Sequence, residues 1–362
     1  MFVPLSIPHL DGKEWEYIKH CLDTGWVSSV GSFVTQFEEA IAAYTGASHA
    51  IATTSGTAAL QLALQVAGVG KGDHVLVPNM TFIASVNAIT YLGAIPVLVD
   101  VDPDTWQIDL DLVEHYLATT DIPPKAILPV HVLGNIGDMN KLLGLAERYG
   151  CIVVEDAAEG LGATFEGRHA GTMGKLGVLS FNGNKIITTG GGGMILTNDS
   201  ELAERARHLT TQAKSHPIEY IHDEVGYNFR LSNVLAAMGV AQLEQLPGFL
   251  EKKARFAAFY KKLLPDLRFQ QVLPSVVPNH WLTTTYVSDR HELQSFLSDH
   301  QIESRGLWCP MNQLAMYESM TYLSDINVSD DLYQHCLSLP SSSGMTEAQL
   351  DHVRTTLTRF YS

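Results

Sequence analysis

The sequence predicts an α/β fold, a mostly parallel sheet between helical layers, followed by a smaller C-terminal α+β domain. Three observations carry that prediction. Between about residues 50 and 200, short apolar runs alternate with helical segments, the pattern of repeated βα units. Several of these runs are apolar on both alternating faces, as strands covered on both sides must be. The chain has 362 residues, more than the roughly 250–300 that one hydrophobic core organises.

The elements follow in order. Strand candidates are residues 74–77, 95–99, 126–130, 151–155, 177–181 and 194–197. Residues 57–67 place Leu60, Leu64 and Ala67 at helical spacing, and 81–91 and 139–149 are further helix candidates. Right-handed crossovers between the strands make the sheet mostly parallel. The pattern changes after about residue 230. Residues 232–264 predict one long helix or two, interrupted at Pro247-Gly248, where proline should break or kink it. Short strand candidates and helices near 290–300 and 346–360 complete the smaller domain. The expected division is 1–240 for the large domain and 241–362 for the small one.

Composition excludes several classes. Lys and Arg total 23 against 39 Asp and Glu, a net charge of −16. Non-specific nucleic-acid binding needs the opposite balance, so no nucleic-acid partner is expected. With 46% hydrophobic and 17% charged residues, the chain has the makings of a packed core rather than disorder. Cys21, Cys151, Cys309 and Cys336 form no CxxC pair, which argues against a zinc ribbon or a redox dithiol and for free thiols in a reducing cytoplasm. Residues 75–99 carry no charge and are long enough to cross a bilayer. Pro78, Asn79, Asn87, Gly93 and Pro96 cut them into strand, helix and strand, so no membrane partner is expected. The N-terminal MFVPLSIPHLDGKEW lacks the basic and then apolar pattern of a leader.

Four features of the β/α half suggest chemistry. Ser55-Gly56-Thr57 stands directly before a helix, where free N–H groups bind anions. Phe82 follows the strand that ends near Pro78, at the edge where ligands of open α/β sheets lie. Asp156, in the run Glu155-Asp156-Ala157-Ala158-Glu159, ends a strongly apolar strand and is placed to hold a cationic nitrogen. Lys185 sits in Ser180-Phe181-Asn182-Gly183-Asn184-Lys185, shortly before four glycines, 190–193, that permit close backbone approach. An ordinary helix cap, a core aromatic, an N-cap aspartate and a solvated lysine explain each feature singly. Neither a dinucleotide GxGxxG, nor a P-loop, nor HExxH is present. Taken in order, an anion cradle, an aromatic ring, a carboxylate and a lysine are what pyridoxal phosphate requires.

Over nearly the whole chain the sequence resembles the DegT/DnrJ/StrS family of nucleotide-sugar aminotransferases. The resemblance is carried by GWVSSVG (25–31), TSGTAAL (54–60), VPNMTF (77–82), EDAAE (155–159), SFNGNK (180–185) with GGGGM (190–194), and GYNFRLSN (226–233). It implies the aspartate-aminotransferase type of fold, fold type I, and pyridoxal phosphate as cofactor. It gives Lys185 the Schiff-base role, with proton transfer, and Asp156 the partnership with the pyridine nitrogen. It gives Ser55, Gly56, Thr57 and Ser180 to the phosphate and Phe82 to the cofactor ring. Glu159 stands where the commoner pattern has Gln beside the cofactor's phenolic oxygen, and a carboxylate there repels a phenolate unless one of them holds a proton. Asn228 matches a residue that reaches the neighbouring subunit's cofactor, which implies a homodimer with shared sites. His131, in a strand-end PVHVLG run, also matches a family position.

For the sugar, the resemblance suggests Ser29 and Asn184, and Arg305 and Trp308 suit a diphosphate and a stacked ring. The glycine-rich SFNGNKIITTGGGGMI looks most like enzymes that move an amino group from L-glutamate to the C4 keto group of UDP-linked 4-keto-6-deoxy-N-acetylhexosamines for bacterial glycans. The alternatives are GDP-perosamine formation, dTDP-sugar amination at C3 or C4, or a cofactor-binding regulator without turnover.

Overall fold

The structure, a computed structural model, describes every residue of the chain except Pro217. Its large sheet contains β1 (His49–Thr53), β2 (His74–Pro78), β3 (Ile95–Val99), β4 (Ala126–Ile127), β5 (Ile152–Asp156), β6 (Leu176–Ser180), β7 (Gly193–Thr197) and β8 (Tyr322–Leu323). Their spatial order is β1-β7-β6-β5-β4-β2-β3-β8. All neighbours are parallel except β7, which runs antiparallel to both β1 and β6. The carboxyl ends of β1, β2, β5 and β6 therefore meet at one edge.

The double-sided apolar pattern has its expected cause. Leu76 and Val153 pack on one face with Phe37, Leu145 and Phe249. Their neighbours Val75, Val77 and Val154 pack on the other with Leu60, Leu64 and Ile89. The second face is covered by α1 (Gly56–Val66) and α2 (Ala84–Tyr91). The first is covered by helices Ser32–Thr45 and Met139–Tyr149 and by α3 (Asn233–Leu263).

Two expectations need correction. The strand expected at 126–130 pairs regularly only at Ala126–Ile127, and Val130 regains a single bridge to Asp156. Pro129 has no N–H to give the ladder, although its carbonyl still accepts from the Asp156 amide at 2.9 Å. The break expected at Pro247 is absent, and α3 runs through it for 31 residues. Pro247 and Gly248 are exposed, while Leu246 and Phe249 beside them are buried. Water can serve the carbonyl that the proline leaves free, and the buried flanks keep the helix in register.

The C-terminal part forms a four-stranded antiparallel sheet in the order Arg268–Phe269, Thr283–Tyr286, Cys336–Leu339, Arg305–Gly306. A separate core of Phe256, Tyr260, Leu293, Leu337 and Val353 supports it. The expected boundary at residue 240 falls inside α3, and β8 returns from the C-terminal part to the edge of the large sheet beside β3.

Candidate active site

The candidate anion cradle is built from a serine cap and helix-start amides. Ser55 caps α1, its Oγ accepting from the Ala58 amide at 3.1 Å. The amides of Gly56 and Thr57 precede the first intrahelical bond and carry the positive end of the helix. Ser180, the last residue of β6, lies opposite. A Cβ on Gly56 would stand 3.0 Å from the Ser180 Cβ, and one on Gly193 would stand 2.5 Å from the Ser55 carbonyl oxygen. Glycine at these two positions lets helix start and strand ends close around a small anion.

Asp156 ends β5 and is 4% exposed. Ser85 Oγ donates to its Oδ2 at 2.7 Å, and the Ala158 amide donates to Oδ1 at 3.1 Å. Burial pushes its carboxyl above the usual carboxylate range, against the pull of these two donors and of Lys185. Among the described residues, no cation is bonded directly to this carboxylate. Its neighbour Glu155 points to the opposite face. Burial raises it too, but a 2.8 Å contact with His131 and the amides of Gly171, Met173 and Gly174 bring it below the usual range. His131 thus serves the scaffold behind Asp156.

Lys185 Nζ lies 3.3 Å from Glu159 Oε1 and 4.1 Å from the centre of the Trp281 ring. Glu159 Oε2 accepts from the Leu133 amide at 2.8 Å. Burial raises Glu159 as well, partly offset by Lys185. Leu133 is held at φ 61, a left-handed conformation that costs a residue with a Cβ about 1–3 kcal/mol.

These groups line one cavity of about 460 Å³. Ser55, Gly56, Thr57 and Ser180 line one wall, Phe82 (53% exposed) one side, and Asp156, Glu159 and Lys185 line it as well. Asn184, Arg305 and Trp308 also line it. Ser29 and Asn228 do not. Ser29 sits beside Arg230, whose Nε donates to its carbonyl, and Asn228 is exposed on the segment that follows Thr211.

The family profile of the DegT/DnrJ/EryC1/StrS aminotransferases matches residues 8–358. The chain belongs to this family. It is 41% identical over 360 residues to GDP-perosamine synthase of Caulobacter vibrioides, covering 97% of this chain and 96% of that one. It is 38% identical over 365 residues to GDP-perosamine synthase of Escherichia coli O157:H7, covering 100% and 99%. The solved structure of S. venezuelae DesV, in complex with a ketimine intermediate, matches with a TM-score of 0.90 at 32% identity, covering 96% and 94%. The protein is a sugar aminotransferase of fold type I that uses pyridoxal phosphate.

The cavity suits that cofactor on its own terms. The uncommitted amides at the start of α1 fit a phosphate, and the buried, cation-free Asp156 fits a protonated ring nitrogen. Sequence reasoning missed Ser85 and Trp281. Ser85 stands in the first turn of α2 and Thr81 just before it, with the Thr81 Oγ1 2.9 Å from the Ser85 Oγ, and the sequence offers no sign that this serine reaches Asp156. Trp281 gave no signal either, because it comes from the chain entering the small domain and meets Lys185 only in the folded protein.

Proposed function

We propose that this enzyme transfers an amino group from L-glutamate to the keto group of a GDP-linked 4-keto-6-deoxy sugar, forming GDP-perosamine. The identity to two GDP-perosamine synthases over essentially the whole chain carries this reading. It is preferred to the UDP-linked N-acetyl sugar, which rests only on the SFNGNKIITTGGGGMI run. The retained Lys185 and Asp156 weigh against a regulator without turnover.

When bound, pyridoxal phosphate supplies an aldehyde that takes up the amino group and a ring that absorbs the electrons released at the donor's α-carbon. The chain does the rest. Ser55, Gly56, Thr57 and Ser180 hold the phosphate, and Phe82 packs on the ring. Asp156 keeps a proton on the ring nitrogen. Lys185 carries the cofactor between turnovers, and its freed Nζ moves a proton from the donor's α-carbon. Glu159 gives the resulting ammonium a carboxylate partner. Asn184, Arg305 and Trp308 face the sugar nucleotide.

A homodimer completes the reading. Asn228 is exposed on the same segment as Ile218, Tyr220 and Val225, which are 82%, 89% and 85% exposed. A second copy covers such a surface and takes Asn228 toward its own cofactor. Ser29, outside the pocket of its own chain, is assigned to the same shared site. The four free cysteines support a reducing, cytoplasmic setting, and among the described residues no helix is long and apolar enough to cross a membrane.

The test offers L-glutamate with GDP-, UDP- and dTDP-linked keto sugars and identifies products by mass spectrometry and NMR. Amination of the GDP sugar in preference to the others is expected. Amination of the UDP sugar alone overturns the choice of nucleotide, and turnover by Lys185→Ala at the wild-type rate overturns the site.

A further inference from the structure

Trp281 is fixed on three sides. Its amide donates to Asn279 Oδ1 at 2.8 Å. Its carbonyl accepts from the buried Lys253 Nζ at 2.8 Å. Its indole Nε1 donates to the Asn184 carbonyl at 2.7 Å. Asn279 is itself tied to the chain carrying Glu159, donating to the carbonyls of Glu159 and Leu161 at 2.6 and 2.9 Å. The side chain is 3% exposed. What remains free is the ring face, and Lys185 Nζ lies 4.1 Å from its centre.

Lysine has a flexible four-carbon stem, and an amine left to swing visits many positions. The only carboxylate bonded to Lys185 among the described residues, Glu159, is 3.3 Å away, a long contact for a charge-assisted bond. Asp156 acts on Lys185 only through space, and Arg305 across the cavity offers no attraction. We propose that the Trp281 ring face is a positioning element that holds the Lys185 amine where it meets the cofactor's aldehyde. The ring attracts the ammonium form after Nζ has taken a proton and limits the arc of the side chain when it has not. Because Trp281 comes from the junction with the small domain, the hold on Lys185 depends on that domain being seated. The inference rests on Lys185 being the lysine that carries the cofactor and is independent of which sugar is aminated.

The test uses the full-length chain freed of cofactor, with Trp281→Phe and Trp281→Leu. Both variants lose the bond to the Asn184 carbonyl, and only Leu loses the ring face. Capture of pyridoxal phosphate by Lys185 is followed by absorbance, and the site is fixed by borohydride and peptide mass. Binding of pyridoxamine phosphate, which cannot bond to lysine, is measured in parallel. Trp281→Leu should capture pyridoxal phosphate about 3- to 30-fold more slowly, because a neutral amine no longer confined by the ring spends less time in line with the aldehyde. Trp281→Phe should stay near wild type, and pyridoxamine phosphate affinity should hold in both.

Equal slowing in Phe and Leu overturns the proposal in favour of the indole hydrogen bond. Parallel loss of pyridoxamine phosphate binding overturns it in favour of simple packing. Wild-type capture by the Leu variant overturns it outright. A label found away from Lys185 instead removes the assignment of the cofactor lysine.

Discussion

Ser85 Oγ donates a 2.7 Å hydrogen bond to Asp156 Oδ2, and both residues are buried. Among the described residues, the Asp156 carboxylate has one other donor, the Ala158 amide. A serine in the first turn of α2 therefore helps to keep ionised the carboxylate proposed to meet the cofactor ring.

Ser85→Ala removes that donor from a buried charge. A hydrogen bond to a charged group contributes about 1.5–3 kcal/mol, a tenfold or greater loss in cofactor affinity where it supports the ionised state. Burial already holds Asp156 above the usual range, so the variant neutralises it at a still higher pH. Cofactor affinity measured down a pH series should collapse earlier in Ser85→Ala than in wild type, and Ser85→Thr should retain most of it. Superimposable curves for Ala and wild type would show that Ser85 does not support Asp156.

The residues that line the cavity were legible because the fold delivers them at strand ends. Asp156 closes an apolar strand, Ser55 caps a helix, and Lys185 follows β6 by a few residues, so local sequence already placed each at one edge. Long-range partners were not legible. Trp281 meets Lys185 across 96 residues, and Glu159 finds the Leu133 amide through a backbone turn that no residue type announces. Pro247 was misread for a related reason. Whether a proline breaks a helix depends on which side faces water, and only the packing of Leu246 and Phe249 decides that.

Glu159 clamps the strained turn at Leu133, and this separates two substitutions. Glu159→Gln keeps an oxygen for the Leu133 amide. Glu159→Ala leaves that amide buried without a partner, a penalty of about 1–3 kcal/mol, and releases a residue held at φ 61. Urea unfolding of the cofactor-free protein should find Gln near wild type and Ala destabilised by that amount. Equal stability of Gln and Ala would exclude the clamp.

His169 predicts acid sensitivity behind Asp156. Its Nε2 accepts from the Gly162 amide at 2.8 Å, and its Nδ1 lies 2.6 Å from the Ala170 carbonyl. A proton on Nε2 would meet the Gly162 N–H head on. Burial pushes the ring down to about 4 from 6.5. Between those values the unfolded chain binds the proton and the folded chain does not. Stability present above pH 6.5 is therefore lost as pH falls toward 4, by up to about 1.4 kcal/mol per pH unit from this group. His169→Gln can accept and donate at the same two places and should flatten that part of the stability–pH curve. An unchanged slope would assign the acid sensitivity to other groups.

Lys253 acts over a different pH range. Its Nζ is buried in α3, donates to the Trp281 carbonyl, and is pushed down to about 7 from 10.5 by burial. Below pH 7 both folded and unfolded chains hold the proton, and the group adds no slope. Between 7 and 10.5 the unfolded chain holds more protons than the folded one, so stability rises with pH by up to about 1.4 kcal/mol per unit. Lys253→Met removes the titration and also orphans the Trp281 carbonyl, a pH-independent cost of about 1–3 kcal/mol. Urea unfolding at pH 7.5 and 9.5 separates the two, because wild type should gain on Met as pH rises while the constant offset stays. A difference that does not grow with pH would mean that Lys253 keeps its proton in the folded enzyme. The Trp281 carbonyl would then be held by an ammonium rather than by a neutral amine.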